Sequence, residues 1–366
     1  MPESRADTCP WMPRPWGQTR THVARVALNV LLAFAAFVGV SRFFTPSWTQ
    51  DEVLEAKLEH FQQHKDEYDL VFFGSSRVLR AFAPNEFDGE LTKRKRPVRS
   101  FNFGIGHMRA HETDALIERV LALHPQRLKW VLVEVMEWTP TILNRMQNHD
   151  RTIDWHTPRQ TRSACRSIWR SDRPFDAKLQ WIGTHWAHLA AKYTSYGDGY
   201  RRFSSPYLSE ERHQAWQGVI DRSQGFISLD QERDWRYTGR RREFLEKYFD
   251  VFAEQVRQID STNRQPGHLD RFNLPAQRHQ QQAIRDAGVL PIFIIPNLRW
   301  GTPSLNRLFQ DGHLEHGLTF NHPSKFPNLY RRDRYFDRGH LNRRGAGEFS
   351  RLLAKRFDAW LTDRQE

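Results

Sequence analysis

Short, nearly uninterrupted apolar runs recur along this chain, and the stretches between them carry helical rather than strand periodicity. The runs lie at Leu70–Phe73, Trp130–Met136 and Leu290–Ile295, and "RPVRSFNFGIG" supplies another near Val98–Phe103. Trp130–Met136 is continuous enough to be buried on both faces, as strands of a parallel sheet are. Between the runs, Leu116, Ile117, Val120 and Leu121 fall at helical spacing within His111–Leu123. Strand, helix, strand, helix, strand predicts a parallel α/β sheet with right-handed crossovers. A helix over Pro275–Ala287 leads into the Leu290–Ile295 strand, and Gly317–Phe320 can add a short fifth. A last helix from Arg344 to about Leu361 would bury Phe349, Leu352, Leu353, Phe357 and Trp360.

That rhythm stops between about Pro140 and Asn273, where no strand pattern is legible. Phe244, Tyr248, Phe252 and Val256 recur four apart, which reads as a helix within a helical insertion or lid. Five tryptophans in it (Trp169, Trp181, Trp186, Trp216 and Trp235) suit either helix packing or stacking on sugar rings. Residues 48–67 read as a polar helix, a stalk ahead of the first strand.

The longest apolar stretch is "VARVALNVLLAFAAFVGV", Val23–Val40, with no charge from Val26 onward. It is short for a span but within the tolerated range of roughly 17–25 residues. Arg5, Arg14, Arg20 and Arg25 outnumber Glu3 and Asp7 ahead of it, which orients the N-terminus inside and the remainder outside. A cleaved signal peptide is the alternative, with small residues at Gly39-Val40-Ser41. Either way the residues from about 45 onward work outside the cytoplasm, and with a retained anchor the bilayer is a partner. The organisation expected is a cytoplasmic leader (1–22), a single-pass anchor in the inner membrane (23–40), an α/β domain in two parts (48–139 and 274–366) and an insertion (140–273). The two cysteines, Cys9 and Cys165, would then lie on opposite sides of the membrane and could not pair. The formal net charge of +12 does not by itself argue for nucleic acid, because no zinc-ligand spacing and no isolated recognition helix accompanies it.

Two short motifs carry the chemistry. "FGSSR" (Phe73–Arg77) delivers two serines to the start of a helix just after a strand. "FDRGHLN" (Phe336–Asn342) sets Asp337 three residues before His340. A serine hydroxyl needs an adjacent base to be a nucleophile at neutral pH, and an aspartate on the far side of an imidazole fixes its tautomer. Taken singly the features are ordinary. Serine is a favoured helix N-cap, Asp337 could cap a turn, His340 could be one of many surface histidines, and Gly104 and Gly106 could serve a tight turn. Asn342 suits a role in fixing the loop before the last helix, and Arg77 could be salt-bridged or could bind an anionic substrate.

The order of "FGSSR", "FNFGIG" (Phe101–Gly106) and "FDRGHLN" resembles the SGNH (GDSL-like) hydrolase superfamily, most of all its membrane-anchored bacterial branch, which includes alginate O-acetylation and teichoic-acid D-alanylation proteins. The resemblance covers residues about 68–136 and 275–360. It implies a three-layer α/β/α, flavodoxin-like domain with Ser76 as nucleophile, His340 as general base and Asp337 orienting it, Ser75 being the fallback nucleophile. It implies oxyanion donors from the backbone N–H of Gly104 or Gly106 and from Ser76 itself. No metal or cofactor is called for. The partners it implies are an acylated donor, a glycan acceptor and a multi-span membrane acyltransferase. The activity implied is acyl-ester cleavage or O-acyl transfer on cell-envelope or exported glycan. The chain departs from the pattern at the third motif, where an oxyanion-binding Asn belongs: the strand ends "VEVMEWTP", with Glu134 and Glu137 and no Asn. A catalytically inactive member of the same fold, binding glycan or organising an envelope complex, is the rival that this gap supports.

Overall fold

The computed structural model of the chain describes residues 16–43, 51–140, 142, 146–147, 149–194, 210–231, 235–268 and 274–364. Most of the leader expected at 1–22, and Cys9 with it, lies outside the described residues. The chain divides into two compact units, one of Met1–Ser47 with Ala190–Pro206 and one of Trp48–Leu189 with Tyr207–Glu366. The first holds helix α1 (Trp16–Phe43). Its stretch Thr21–Val40 is exposed and has a mean hydropathy of 2.1. That length and composition fit a signal anchor or a signal peptide.

The second unit is an α/β domain. Its first half runs α2 (Glu52–His64), β1 (Leu70–Gly74), α3 (Ser76–Ala81), α4 (Pro84–Lys93), β2 (Ser100–Gly104), α5 (Ala110–Leu121) and β3 (Trp130–Glu134). Described helices follow at α6 (Asp150–Asp154), α7 (Pro158–Arg170), α8 (Phe175–Thr194), α9 (Glu210–Ser223), α10 (Trp235–Glu243) and α11 (Phe249–Asn263). The chain then returns through α12 (Leu274–Asp286), β4 (Leu290–Ile295), α13 (Pro303–Gln310), β5 (Gly317–Thr319) and α14 (Arg343–Asp363). All five strands are parallel, in the order β2-β1-β3-β4-β5.

Alternation along each strand sends side chains to opposite faces, and each face has its own core. Val71, Phe73, Phe101, Phe103, Val131, Val133, Phe293 and Ile295 face one layer, with Phe61 of α2, Ile117 and Val120 of α5, Ile220 of α9 and Ile284 of α12. Leu70, Phe72, Leu132, Ile292, Ile294 and Leu318 face the other, with Phe87 and Leu91 of α4, Phe252 and Ile259 of α11, and Phe349, Leu353 and Phe357 of α14.

Two expectations need correcting. The polar segment before β1 is no stalk: Leu54, Leu58 and Phe61 lie one helical turn or so apart and are buried against the sheet. Nor is the whole of 140–273 an insertion. Phe244 and Phe252 are buried in the core beneath the second face, so α11 belongs to the α/β/α sandwich. The four-apart stripe is interrupted by a π-helical turn at Phe244–Tyr248, between α10 and α11. His111, His156 and His185 are buried, with Trp155 stacked on the His156 ring.

β2 is a margin of the sheet, and side chains together with the backbone carbonyl of Gln224 satisfy its outward backbone groups. Ser100 N donates to Asp88 Oδ2 (3.0 Å), Asn102 N to Gln224 O (2.9 Å) and Gly104 N to Asn102 Oδ1 (2.7 Å). The fully buried Lys57 of α2 donates Nζ to Asn102 O (2.7 Å) and Gly104 O (2.8 Å). Burial, with Arg80 nearby, holds the Lys57 ammonium pKa well below its usual range. Burial likewise pushes the Asp88 carboxyl up to about 7, against the two hydrogen bonds from Ser100.

Asp88 therefore makes stability depend on pH. The folded state holds a proton on it up to about pH 7, whereas an unfolded Asp loses its proton near its ordinary value of 3.8. Between those values the folded state binds more protons, so its stability falls as pH rises, by about 1.4 kcal/mol per unit for one group. Urea denaturation of wild type and Asp88→Asn should show the variant gaining on wild type from about pH 4 to 7. The gap should stay constant above that. A pH-independent gap would mean that Asp88 is not the group titrating.

Candidate active site

In a doubly wound sheet of this order the crevice opens at the carboxyl ends of the strands, where the chain turns one way after one strand and the other way after its neighbour. Here that point lies between β1 and β3. The turn after β1 holds Ser75 and Ser76. Ser75 is the N-cap of α3: its Oγ accepts from Arg77 N (3.3 Å) and its side chain is buried. Ser76, the first helical residue, is partly exposed and opens into the crevice.

His340 arrives from the far end of the chain. Its Nε2 lies 2.9 Å from Ser76 Oγ, and its Nδ1 lies 2.9 and 3.1 Å from the two oxygens of Asp337. A carboxylate only accepts hydrogen bonds, so Nδ1 carries the proton and Nε2 is left to accept from the serine hydroxyl. Burial alone would raise the Asp337 carboxyl. The hydrogen bond and charge of His340, the Gly339 N–H and the Arg240 guanidinium outweigh it and hold the pKa below the usual value. The loop is clamped from several directions. Phe336 N donates to His340 O (2.9 Å), and Tyr335 pairs with Leu341 in an antiparallel bridge. Asn297, after β4, donates Nδ2 to the Tyr335 hydroxyl (2.8 Å). Asn342 caps α14, its Oδ1 accepting from Gly345 N (2.9 Å). Of the two serines, Ser76 is the one on the imidazole; Ser75 is committed to the cap.

The other expected donors divide. Gly104 N–H is taken by Asn102 Oδ1, so the expectation that it faces an oxyanion does not hold. It is a glycine for a different reason: a Cβ there would lie 2.7 Å from Leu79 Cα and closer still to Leu79 N. No hydrogen bond among the described residues engages the N–H of Ser76 or Gly106. Glu134 is not aimed at the crevice. It is buried at the end of β3, accepts from Ser75 N at 2.7 Å through Oε2 and pairs through Oε1 with Arg77 Nε. That ion pair settles Arg77 as salt-bridged. Glu137 is exposed and lines the cleft.

The cleft over Ser76 and His340 has a volume of about 980 Å³. The loop after β4 builds one wall with Arg299, Trp300 and Thr302, and the π-helical turn contributes Phe244 and Tyr248. Arg109 and Arg240 also line it, and Arg338 lies 4.2 Å from the centre of the Tyr248 ring. Burial and the nearby Arg338 both lower the Arg299 pKa, a sign of crowded positive charge. No Asn or Gln side chain is among the described residues of the lining. A scan against protein-family models finds no match to this chain, and a search of the curated proteins finds none that is significantly similar.

Sequence reasoning missed Asn102 and Lys57, and saw in Glu134 only a charge that would repel an oxyanion. Asn102 is fully buried and donates Nδ2 to Val78 O (2.9 Å) and Phe82 O (2.6 Å), fastening the middle and the C-cap of α3 to β2. The one available signal was a polar residue inside an aromatic strand, "FNF". Of the tryptophans in the helical region, Trp181 and Trp216 pack against core clusters while Trp169 and Trp186 are exposed. The side chain of Trp235 lies outside the described residues.

Proposed function

We propose that this chain is an SGNH-type serine acyl enzyme working outside the cytoplasm, an esterase or O-acyltransferase for cell-envelope or exported glycan. One observation carries the reading. A hydroxyl, an imidazole and a carboxylate brought together from positions 264 residues apart form a continuous hydrogen-bonded line at the crevice of the sheet. Ser76 Oγ would attack an ester carbonyl as its proton passes to His340 Nε2, with Asp337 holding the imidazolium. Collapse of the tetrahedral intermediate returns that proton to the departing alcohol and leaves an acyl-serine. His340 then deprotonates water in an esterase, or a sugar hydroxyl in a transferase. The Ser76 N–H lines the cleft and is open to the developing oxyanion, and the unengaged Gly106 N–H precedes the lining residue His107. The half-exposed Trp300, with the Arg77 and Arg299 guanidinium groups 5.9 and 5.4 Å from its ring centre, suits an anionic sugar at the rim. The apolar helix α1 is consistent with a signal anchor in the inner membrane, beside a multi-span acyl carrier.

A second reading keeps the fold without the chemistry, as a glycan-binding scaffold. The commitment of Gly104 N–H and the lack of an Asn side chain in the cleft favour it. A fluorophosphonate probe decides between them. The enzyme reading expects covalent labelling, mapped by mass spectrometry to Ser76 and strongly reduced in His340→Ala. A folded wild-type protein that stays unlabelled supports the scaffold.

A further inference from the structure

A second surface lies on the helical hairpin of α7 and α8, and the geometry points to a role in holding the domain against an anionic lipid bilayer. We propose that the hairpin surface within Pro158–Leu189 is an interfacial membrane-docking site. The proposal does not rest on the acyl-enzyme reading.

Phe175, Leu179 and Trp186 are 63, 51 and 56% exposed, and Trp169 is 55% exposed. At roughly 100° per residue, positions 175, 179, 182 and 186 fall within about 60° of one another, so Ile182 completes a continuous stripe along α8. Trp169, at the end of α7, meets Phe175 edge to face at 6.2 Å between ring centroids and carries the stripe across the turn. The inward face of the same helices is filled by Ala164, Ile168 and His185. An outward run of this kind is more than scattered exposure, which needs no explanation.

Charge selects the occupant. Arg162, Arg166 and Arg170 follow at spacings of four on the exposed side of α7, and Arg173 lies in the turn. Against them on the hairpin stand only Asp172 and Asp176 as exposed acids. Aromatic and leucine side chains beside an arginine row are what a helix needs to lie in the headgroup layer, with its rings at the acyl boundary and its guanidinium groups on phosphate. The same chain carries a helix long and apolar enough to cross a membrane, so a bilayer is the large apolar body at hand.

The test uses the full chain, one copy per lipid disc, with Cys9→Ser and Cys165→Ser and a polarity-sensitive dye on Leu179→Cys. In discs of phosphatidylcholine with phosphatidylglycerol, the dye should shift to the blue and resist an aqueous quencher. The same dye on Lys355→Cys should not. High salt, or Arg162→Gln with Arg166→Gln, should return the 179 dye to water. Equal quenching at 179 and 355 in the anionic discs overturns the proposal. So does protection that appears only with two copies per disc, which would mark the stripe as a contact between copies. Protection that is the same in pure phosphatidylcholine and insensitive to both salt and the arginine substitutions overturns it as well.

Discussion

Ser76→Ala should lower the turnover of an activated ester such as p-nitrophenyl acetate by a factor on the order of 10⁴ or more, leaving only what binding and backbone donors supply. The reason lies in the proton path. Among the described residues, His340 Nε2 has Ser76 Oγ as its hydrogen-bond partner in the cleft, and removing that hydroxyl removes the nucleophile whose proton it would take. His340→Ala should cost about as much, and the double variant Ser76→Ala with His340→Ala should be little worse than either single one, because groups acting as a unit are not additive. Asp337→Asn should preserve the loop yet cost a comparable factor. An amide can present its N–H₂ to Nδ1, which would stabilise the tautomer with its proton on Nε2 and block acceptance from the serine. Ser75→Ala is the contrast. It removes an N-cap, worth about 1 kcal/mol of stability, and should leave turnover within a few-fold. Residual activity within tenfold of wild type in Ser76→Ala would refute the assignment, and large additivity between Ser76 and His340 would show that they do not act together.

Gly104→Ala and Gly106→Ala should separate sharply, although the two glycines belong to one short motif. At Gly104 a methyl group would overlap backbone atoms of α3, which cannot yield as a flexible side chain can. β2 and α3 are also tied together by Asn102, so relief in one direction breaks hydrogen bonds in another. A destabilisation of about 3 kcal/mol or more is expected, at the upper end for overpacking, with loss of activity through a displaced Ser76. At Gly106 nothing lies within 4 Å of the added carbon, and the melting temperature should hardly move. Any activity change there would be local to the cleft. Equal melting temperatures for the two variants would mean that α3 and β2 are not packed as described.

How much of this was legible in advance depended on whether the partners are close in sequence. β4 was read at its observed bounds because Leu290–Ile295 is a continuous apolar run between a glycine-containing turn and "PN". Asp337 and His340 were visible because their spacing is local, and their order relative to Ser76 suggested the third member. Lys57 and Asn102 were not, because a buried ammonium and a buried amide make sense only beside the backbone they serve, which lies 20 to 47 residues away. Glu134 misled for the same reason: from sequence it was a misplaced negative charge, and only Arg77 and the Ser75 N–H explain it. Helix α2 was misjudged because its average polarity hid three apolar positions on one side. The stripe from Phe244 to Val256 identified a helix without saying which surface it would cover, so the boundary of the insertion fell too late in the chain.

Lys57 has a counterpart at the opposite margin of the sheet, where Arg356 of α14 donates Nη1 to Thr319 O at 3.1 Å. A hydrogen-bond-donating basic side chain from a covering helix thus stands at each lateral end of the ladder, where a further β-segment would have to dock. Lateral growth by strand exchange between neighbouring molecules is opposed at its first step, since an incoming chain would have to displace the buried Lys57 amine or the Arg356 guanidinium before gaining its first backbone contact.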